Sequence, residues 1–298
     1  MNINKANLSA LYVAFNAAFK EGIGQAPSLF ANIATVVPST TGSEEYGWLG
    51  TFPGMREWLG DRVINGVQTH GYSIKNKDFE LTVAVPRNAI EDDNVGVYTP
   101  MMLELGRGSG SHPDELVFGA LANGHTQKCY DGQYFFDTDH PVIKPDGTTE
   151  SQSNWEDNSG SGTPWYLLDC SRALKPLIFQ ERKKPEFVAK TDVSDDNVFN
   201  RKEYVYGVDS RCNVGYGFWQ LAYGSRKDLT EDNLAAALAA MASRTGDHGK
   251  KLGIKATHLV VPASLEHKAR KLVNASTLAN GADNVLKGVV EVVVSPWL

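Results

Sequence analysis

Residues 44–85 read EEYGWLGTFPGMREWLGDRVINGVQTHGYSIKNKDFELTVAV. The last seven, Phe79-Glu80-Leu81-Thr82-Val83-Ala84-Val85, alternate strictly, and a period of two defines a β-strand with one apolar face. Tyr46 to Leu49 is the expected antiparallel partner, with Phe52 to Val63 as the tip and a short helical turn over Met55 to Leu59. Tyr46, Trp48, Phe52, Trp58 and Tyr72 are interleaved with seven glycines between Gly42 and Gly71. Two strands alone are marginal in water, so a hairpin this aromatic must bury its rings against another surface. That requirement points to a partner.

Outward from the hairpin, the upstream chain predicts an amphipathic helix over Asn7 to Lys20 that stops at Gly22 and Gly24, followed by a lightly structured stretch from Ala26 to Ser43. Downstream, Glu91-Asp92-Asp93-Asn94 supplies capping side chains for a helix from Val95 to Leu105. Gly106-Arg107-Gly108-Ser109-Gly110 interrupts the pattern, which resumes from Pro113 to Ala122, and one long, kinked helix or two collinear ones both fit. The region from Gly124 to Pro164 is loop-rich, with Ser151 to Gly162 as a surface loop. Trp165–Leu168, Leu177–Gln180, Phe187–Lys190, Glu203–Val208 and Phe218–Tyr223 predict strands of one mostly antiparallel sheet. From Leu229 to Ser243 a helix is capped by Thr230, and Leu234, Leu238 and Met241 share its apolar face. A strand at Thr257–Val261, a helix at Ser264–Asn274 and a strand at Val289–Val294 complete an α+β chain, with the change of character near Asp228.

The 298 residues suffice for one large domain or two modest ones. Lys and Arg total 29 against 35 Asp and Glu, a formal charge of −6, which argues against a dedicated nucleic-acid binder. The most basic run, Arg182-Lys183-Lys184, lies between Glu181 and Glu186 and reads as a solvated turn. No window approaches the roughly 18 apolar residues of a membrane span, and the opening residues lack an export signal, so synthesis in the cytoplasm is expected. The three cysteines, Cys129, Cys170 and Cys212, are widely spaced and fit reduced, buried thiols.

Candidate chemistry is sparse. Asp137-Thr138-Asp139-His140 is the most metal-like cluster, but neighbouring turn positions do not by themselves converge on one ion. Gly106 to Gly110 follows a helix where a phosphate-binding loop would follow a strand. No serine sits in a nucleophile elbow. The expectation is no catalytic residue, no cofactor and no metal.

Six strings carry a resemblance. They are Tyr46-Gly47-Trp48-Leu49-Gly50; His70-Gly71-Tyr72-Ser73-Ile74; Cys129-Tyr130-Asp131-Gly132-Gln133 with Phe135-Phe136 and His140-Pro141; Tyr166-Leu167-Leu168-Asp169-Cys170-Ser171-Arg172; Phe179-Gln180-Glu181-Arg182; and Gly215-Tyr216-Gly217-Phe218-Trp219-Gln220. In this order they closely resemble the major head subunits of Mu-like tailed bacteriophages, the T-protein family. The resemblance implies the tailed-phage major capsid protein fold: an N-terminal arm (1–38), an E-loop hairpin (39–85), a P-domain with spine helix and sheet (86–227, its loop at 124–164 within reach of the A-domain) and an A-domain (228–298). In many relatives the axial block precedes the sheet strands, whereas here it follows them, which implies a rewired connection.

The implied function is a subunit that forms pentamers and hexamers of an icosahedral head around double-stranded DNA, touched non-specifically. Trp48, Phe52 and Trp58 are then the expected intersubunit anchors. The arm is too short for an internal scaffold, so a separate scaffolding protein and a portal are the expected partners, with room for a decoration protein and no membrane. The product is expected in the virion, made in the cytoplasm of a bacterial host. The alternative is a tail tube or sheath protein, which would form open helical polymers.

Overall fold

The computed structural model describes residues 4–47, 49, 71–92, 95–158, 161–277 and 281–298. The chain opens with α1 (Lys5–Gln25), α2 (Phe30–Ile33), β1 (Ala34–Pro38), β2 (Ser43–Glu45), β3 (Ser73–Lys75), β4 (Lys77–Pro86) and α3 (Arg87–Glu91). The long helix α4 (Thr99–Ala122) leads to β5 (His140–Ile143), β6 (Thr149–Gln152), β7 (Trp155–Glu156) and β8 (Trp165–Leu168). Then come β9 (Leu177–Lys190), α5 (Asp196–Arg201), β10 (Glu203–Tyr216), β11 (Ala222–Ser225), α6 (Glu231–Ala242), β12 (His258–Pro262), α7 (Glu266–Asn274) and β13 (Glu291–Ser295).

The single sheet expected between 165 and 223 is two sheets. One has four strands in the order β1-β9-β10-β4; the other has five, in the order β13-β12-β8-β11-β7. The C-terminal strands therefore share a sheet with Trp165–Leu168 and Ala222–Ser225, and the change of character near Asp228 runs through that sheet. The strand over 79–85 is present within β4, but its partner is β10, from Glu203↔Pro86 to Cys212↔Lys77. The hairpin closes instead on β2 and β3, paired Ser43↔Lys75, Glu44↔Ile74 and Glu45↔Ser73. Tyr46 N donates to Tyr72 O at 2.8 Å just beyond that ladder, and the residue is buried in the core.

β9 and β10 are antiparallel along nearly their whole length, with a register shift around Asp209–Cys212. Lys184 and Pro185 fall between the Lys183↔Arg211 and Glu186↔Asp209 pairs. A bulge is one of the few places a strand accepts proline, because a ladder donor is missing there anyway. The basic run expected as a turn is thus strand, and Lys183 Nζ donates to Asp209 Oδ2 at 2.6 Å. The stretch read as a loose arm also has a place, since β1 pairs in parallel with Leu177–Glu181 of β9.

Of the two forms open across Gly106–Gly110, the structure has the single long helix α4, and α1 does not stop at Gly22. Two of the glycines of helix α4, Gly106 and Gly110, face α1. A Cβ on Gly106 would sit 2.1 Å from Phe19 O, and one on Gly22 would sit 2.0 Å from Leu103 O. Each helical glycine costs about 1 kcal/mol relative to alanine, offset here by backbone-to-backbone approach. That approach seats Phe15 edge-on to Tyr206 at 5.1 Å and stacks Phe19 on Phe187 at 5.3 Å. Further along α4, the buried Asp114 accepts from Leu29 N (2.9 Å) and Phe30 N (2.7 Å), capping α2. Burial pushes its carboxyl up, opposed by those donors.

Candidate assembly surface

The root of the hairpin is a built structure. The Glu44 carboxylate accepts from Thr40 N (2.8 Å), Thr41 N (3.1 Å), Ser39 Oγ (2.9 Å) and Thr41 Oγ1 (3.0 Å). These donors, the Thr40 amide foremost, hold its pKa at about 2. Beneath it, buried Gln180 of β9 donates to Ile74 O (3.0 Å) and Asn76 Oδ1 (2.8 Å) and accepts from Tyr46 OH (2.9 Å). Asn76 Nδ2 reaches Ser39 Oγ and Thr41 O. Tyr72 OH accepts from Tyr216 N at 2.7 Å, and burial lifts its phenol to about 12. Every polar atom named here has a partner, as buried groups require. The base of the hairpin, β2 and β3 with Tyr46 and Tyr72, is therefore fixed against β9 and β10 of the four-stranded sheet. Trp48, Phe52 and Trp58, the expected anchors, lie outside the described residues.

The four-stranded sheet also exposes apolar surface. Leu81 and Val188 are 43% and 47% exposed, and at the far turn between β9 and β10 Val193 and Phe199 reach 65% and 80%. Between β4 and α4 lies a groove of about 230 Å³ lined by Phe79, Leu81, Gly108, His112, Pro185 and Val208. His112 meets Phe79 edge-on at 4.3 Å, and burial lowers its pKa.

Of the Asp137–His140 run, His140 turns to Asp131. His140 is fully buried, stacked on Trp219 at 3.9 Å, and its Nδ1 faces Asp131 Oδ2 at 2.7 Å. Asp131 Oδ1 in turn accepts from Cys129 Sγ at 3.1 Å. Burial pushes the Asp131 carboxyl up, but the hydrogen bond and charge of His140 and the Cys129 and Gln133 donors outweigh it and leave it below its ordinary value. Burial, then the Asp131 charge, raises the Cys129 thiol. Asp137 instead accepts the amides of Tyr134 and Thr138. All three thiols are free, and Cys129 is separated from an imidazole by the Asp131 carboxylate, which is not a nucleophile–base arrangement. The loop expected at 151–162 is partly ordered into β6 and β7 around the buried Asn154.

Sequence reading missed the Tyr46–Gln180–Asn76 network and the Cys129–Asp131–His140 cluster. A signal was present: Tyr46, Gln180, Cys129, Asp131 and His140 all fall within strings that carry the capsid resemblance. What was missing was the pairing between them.

A long helix beside an open sheet, a rooted hairpin and a second buried sheet define a shell-forming subunit of the tailed-phage capsid class. Residues 8–298 match the family described as Mu-like prophage major head subunit gpT, and the chain belongs to that family. It is 48% identical to the major capsid protein of Escherichia phage Mu over the full length of both chains. It is 50% identical to the Mu-like prophage FluMu major head subunit of Haemophilus influenzae, covering 100% of this chain and 99% of that one. Among solved structures, a subunit of the bacteriophage JBD30 procapsid superposes with a TM-score of 0.87 at 50% identity, over 99% of this chain and 100% of that one. The JBD30 capsid subunit gives 0.80 at 37% identity over 100% and 99%, and another JBD30 capsid is described as decorated with minor capsid protein trimers. The chain is a major capsid protein of the Mu-like kind that forms the capsid shell, and the tail tube or sheath reading is not favoured. These relatives are structural proteins of the virion. No helix among the described residues is long and apolar enough to cross a membrane.

Proposed function

We propose that copies of this chain close into pentamers and hexamers, and that these rings join into an icosahedral head enclosing double-stranded DNA. Residues 1–38 serve as the arm and 39–85 as the E-loop, each lending its last strand, β1 and β4, to the four-stranded sheet that with α4 makes the P-domain. The A-domain, which makes the ring contacts, takes the five-stranded sheet with α6 and α7, and so recruits β7, β8 and β11 from before position 228. The E-loop lies on a neighbouring subunit with Trp48, Phe52 and Trp58 as anchors, since large aromatics dominate such contacts. A separate scaffolding protein, a portal and a decoration protein are the partners, and the acidic chain touches DNA without binding it tightly.

What supports this reading is full-length similarity to head subunits together with a hairpin whose root is locked by buried hydrogen bonds. A fixed root lets an aromatic segment reach a neighbour at a defined place, at little entropic cost for its base. Electron microscopy of the chain produced with its scaffold tests it. Closed shells from the native chain, and a sharp loss of shells from a folded Trp58→Ala variant, are expected. Normal yield from that variant would remove the anchor role, and tubes in place of shells would remove the whole proposal.

A further inference from the structure

The Cys129–Asp131–His140 cluster serves no part of the assembly reading. Its thiol sulfur, carboxylate oxygen and imidazole nitrogen all lie within 4.8 Å of one another. Cys129 and Asp131 lie either side of Tyr130 in a turn closed by Gly132 N donating to Cys129 O (3.2 Å), and His140 opens β5. The surroundings fix the imidazole independently. Asn154 Nδ2 donates to Phe135 O (2.7 Å) and Trp219 O (3.3 Å), so its Oδ1 is the atom that faces outward. That oxygen accepts from Asp137 N at 2.8 Å and meets His140 Nε2 at 3.3 Å. Nε2 therefore carries a proton, and Nδ1 is the nitrogen presented to Asp131 and Cys129. A lone pair on Nδ1 facing a carboxylate at 2.7 Å is repulsive unless something positive lies between them. A histidine whose far nitrogen donates to a fixed carbonyl oxygen, with its near nitrogen turned toward a thiol and a carboxylate, has the outer-shell support typical of metal-binding imidazoles.

We infer that Cys129 Sγ, Asp131 and His140 Nδ1 form a structural site for a divalent transition metal, with zinc the best match to a sulfur, oxygen and nitrogen donor set. In the metal-free chain the site holds two protons, one on the Cys129 thiol and one between Asp131 and His140. The ion displaces both, so the charge of the buried cluster is unchanged. The Tyr134 carbonyl, 3.9 Å from Cys129 Sγ, or a water takes the fourth position. Because the cluster is closed, the ion enters as the chain folds, and it ties the 129–140 loop to Trp219 beside the five-stranded sheet.

The test uses the full-length, unassembled chain. The protein is refolded after chelation with zinc or cobalt(II), and bound metal is measured by elemental analysis. About one ion per chain, a cobalt–thiolate absorption band and a melting temperature raised by zinc are expected. The band should persist when Cys170 and Cys212 are both replaced by serine. It should vanish in Cys129→Ser, whose hydroxyl can still donate to Asp131 and so preserves the metal-free hydrogen bonding. Asn154→Ala should weaken zinc binding about 10- to 100-fold. If Cys129→Ser fails to fold, the band in the Cys170/Cys212 double variant decides alone. Substoichiometric metal with a melting temperature indifferent to zinc and to chelator would overturn the site, leaving a proton-held cluster. An unchanged cobalt spectrum in folded Cys129→Ser would overturn it equally, by placing the metal elsewhere.

Discussion

The two sheets are built from different kinds of strand. In the five-stranded sheet β8 buries all of Trp165, Tyr166, Leu167 and Leu168, and β12 buries Leu259, Val260 and Val261 in a row. In the four-stranded sheet β9 buries its first four residues and then alternates, while most of β4 is exposed or half-buried. A strand covered on both faces reads as a continuous apolar run, and one with a wet face alternates. The same chain thus makes one sheet whose central strands are covered on both faces within the subunit and another that leaves much of its outer face exposed. Folding stability should therefore reside chiefly in the first sheet, and the exposed positions of the second should tolerate change.

The sharpest test of that division is Trp165→Ala, which should cost about 3–5 kcal/mol in urea unfolding of the unassembled subunit. A loss below about 1 kcal/mol would mean that this sheet is not the stable core. Gly106→Val comes next: its side chain has no space against Phe19 O, and we expect a loss of about 3 kcal/mol from overpacking and separation of the helices. Tyr46→Phe should cost about 1–2 kcal/mol by stripping Gln180 Oε1 of its donor. Its stronger signature is faster amide exchange across β2 and β3, with the five-stranded sheet unaffected. Phe199→Ser should change folding stability by less than about 0.5 kcal/mol; a larger loss would show that the far turn is packed within the subunit.

The smallest effect concerns pH. The folded pKa of Glu44, about 2, lies below the ordinary 4.5, so its contribution is complete above about 4.5 and fades as pH falls through the folded value. Exchange protection at Thr40 and Thr41 should accordingly survive mild acid and be lost near pH 2, and Glu44→Gln should weaken it at neutral pH.

Much of this was legible in the sequence. The alternation at 79–85 gave β4, and Thr230 with Leu234 and Met241 gave α6, with Thr230 Oγ1 accepting from Asn233 N at 3.3 Å. The errors share one cause, which is that pairing is not local. Gly106 and Gly110 look like a helix break until the partner helix, about eighty residues upstream, is known to need their missing side chains. The continuous run Trp165–Leu168 and the alternating strand over 203–208 differ in kind, yet spacing alone did not assign them to separate sheets. Tyr46 reads as a strand residue in the sequence because its side-chain acceptor, Gln180, is 134 positions away. At the cluster, His140 was grouped with its neighbours in sequence, whereas the buried ring faces Asp131.

β8 and β9 on one side, and β10 and β11 on the other, are successive legs of a single interrupted hairpin. Leu168 faces Ala222 in one sheet, and Leu177 faces Tyr216 in the other. Force applied at the far turn beside Phe199 is therefore carried down both legs and delivered to two adjacent central strands of the five-stranded sheet. There the ladders of β8 with β12 and of β11 with β7 spread the load over the rest of the sheet. A pull on the far turn is taken up in the best-packed part of the subunit.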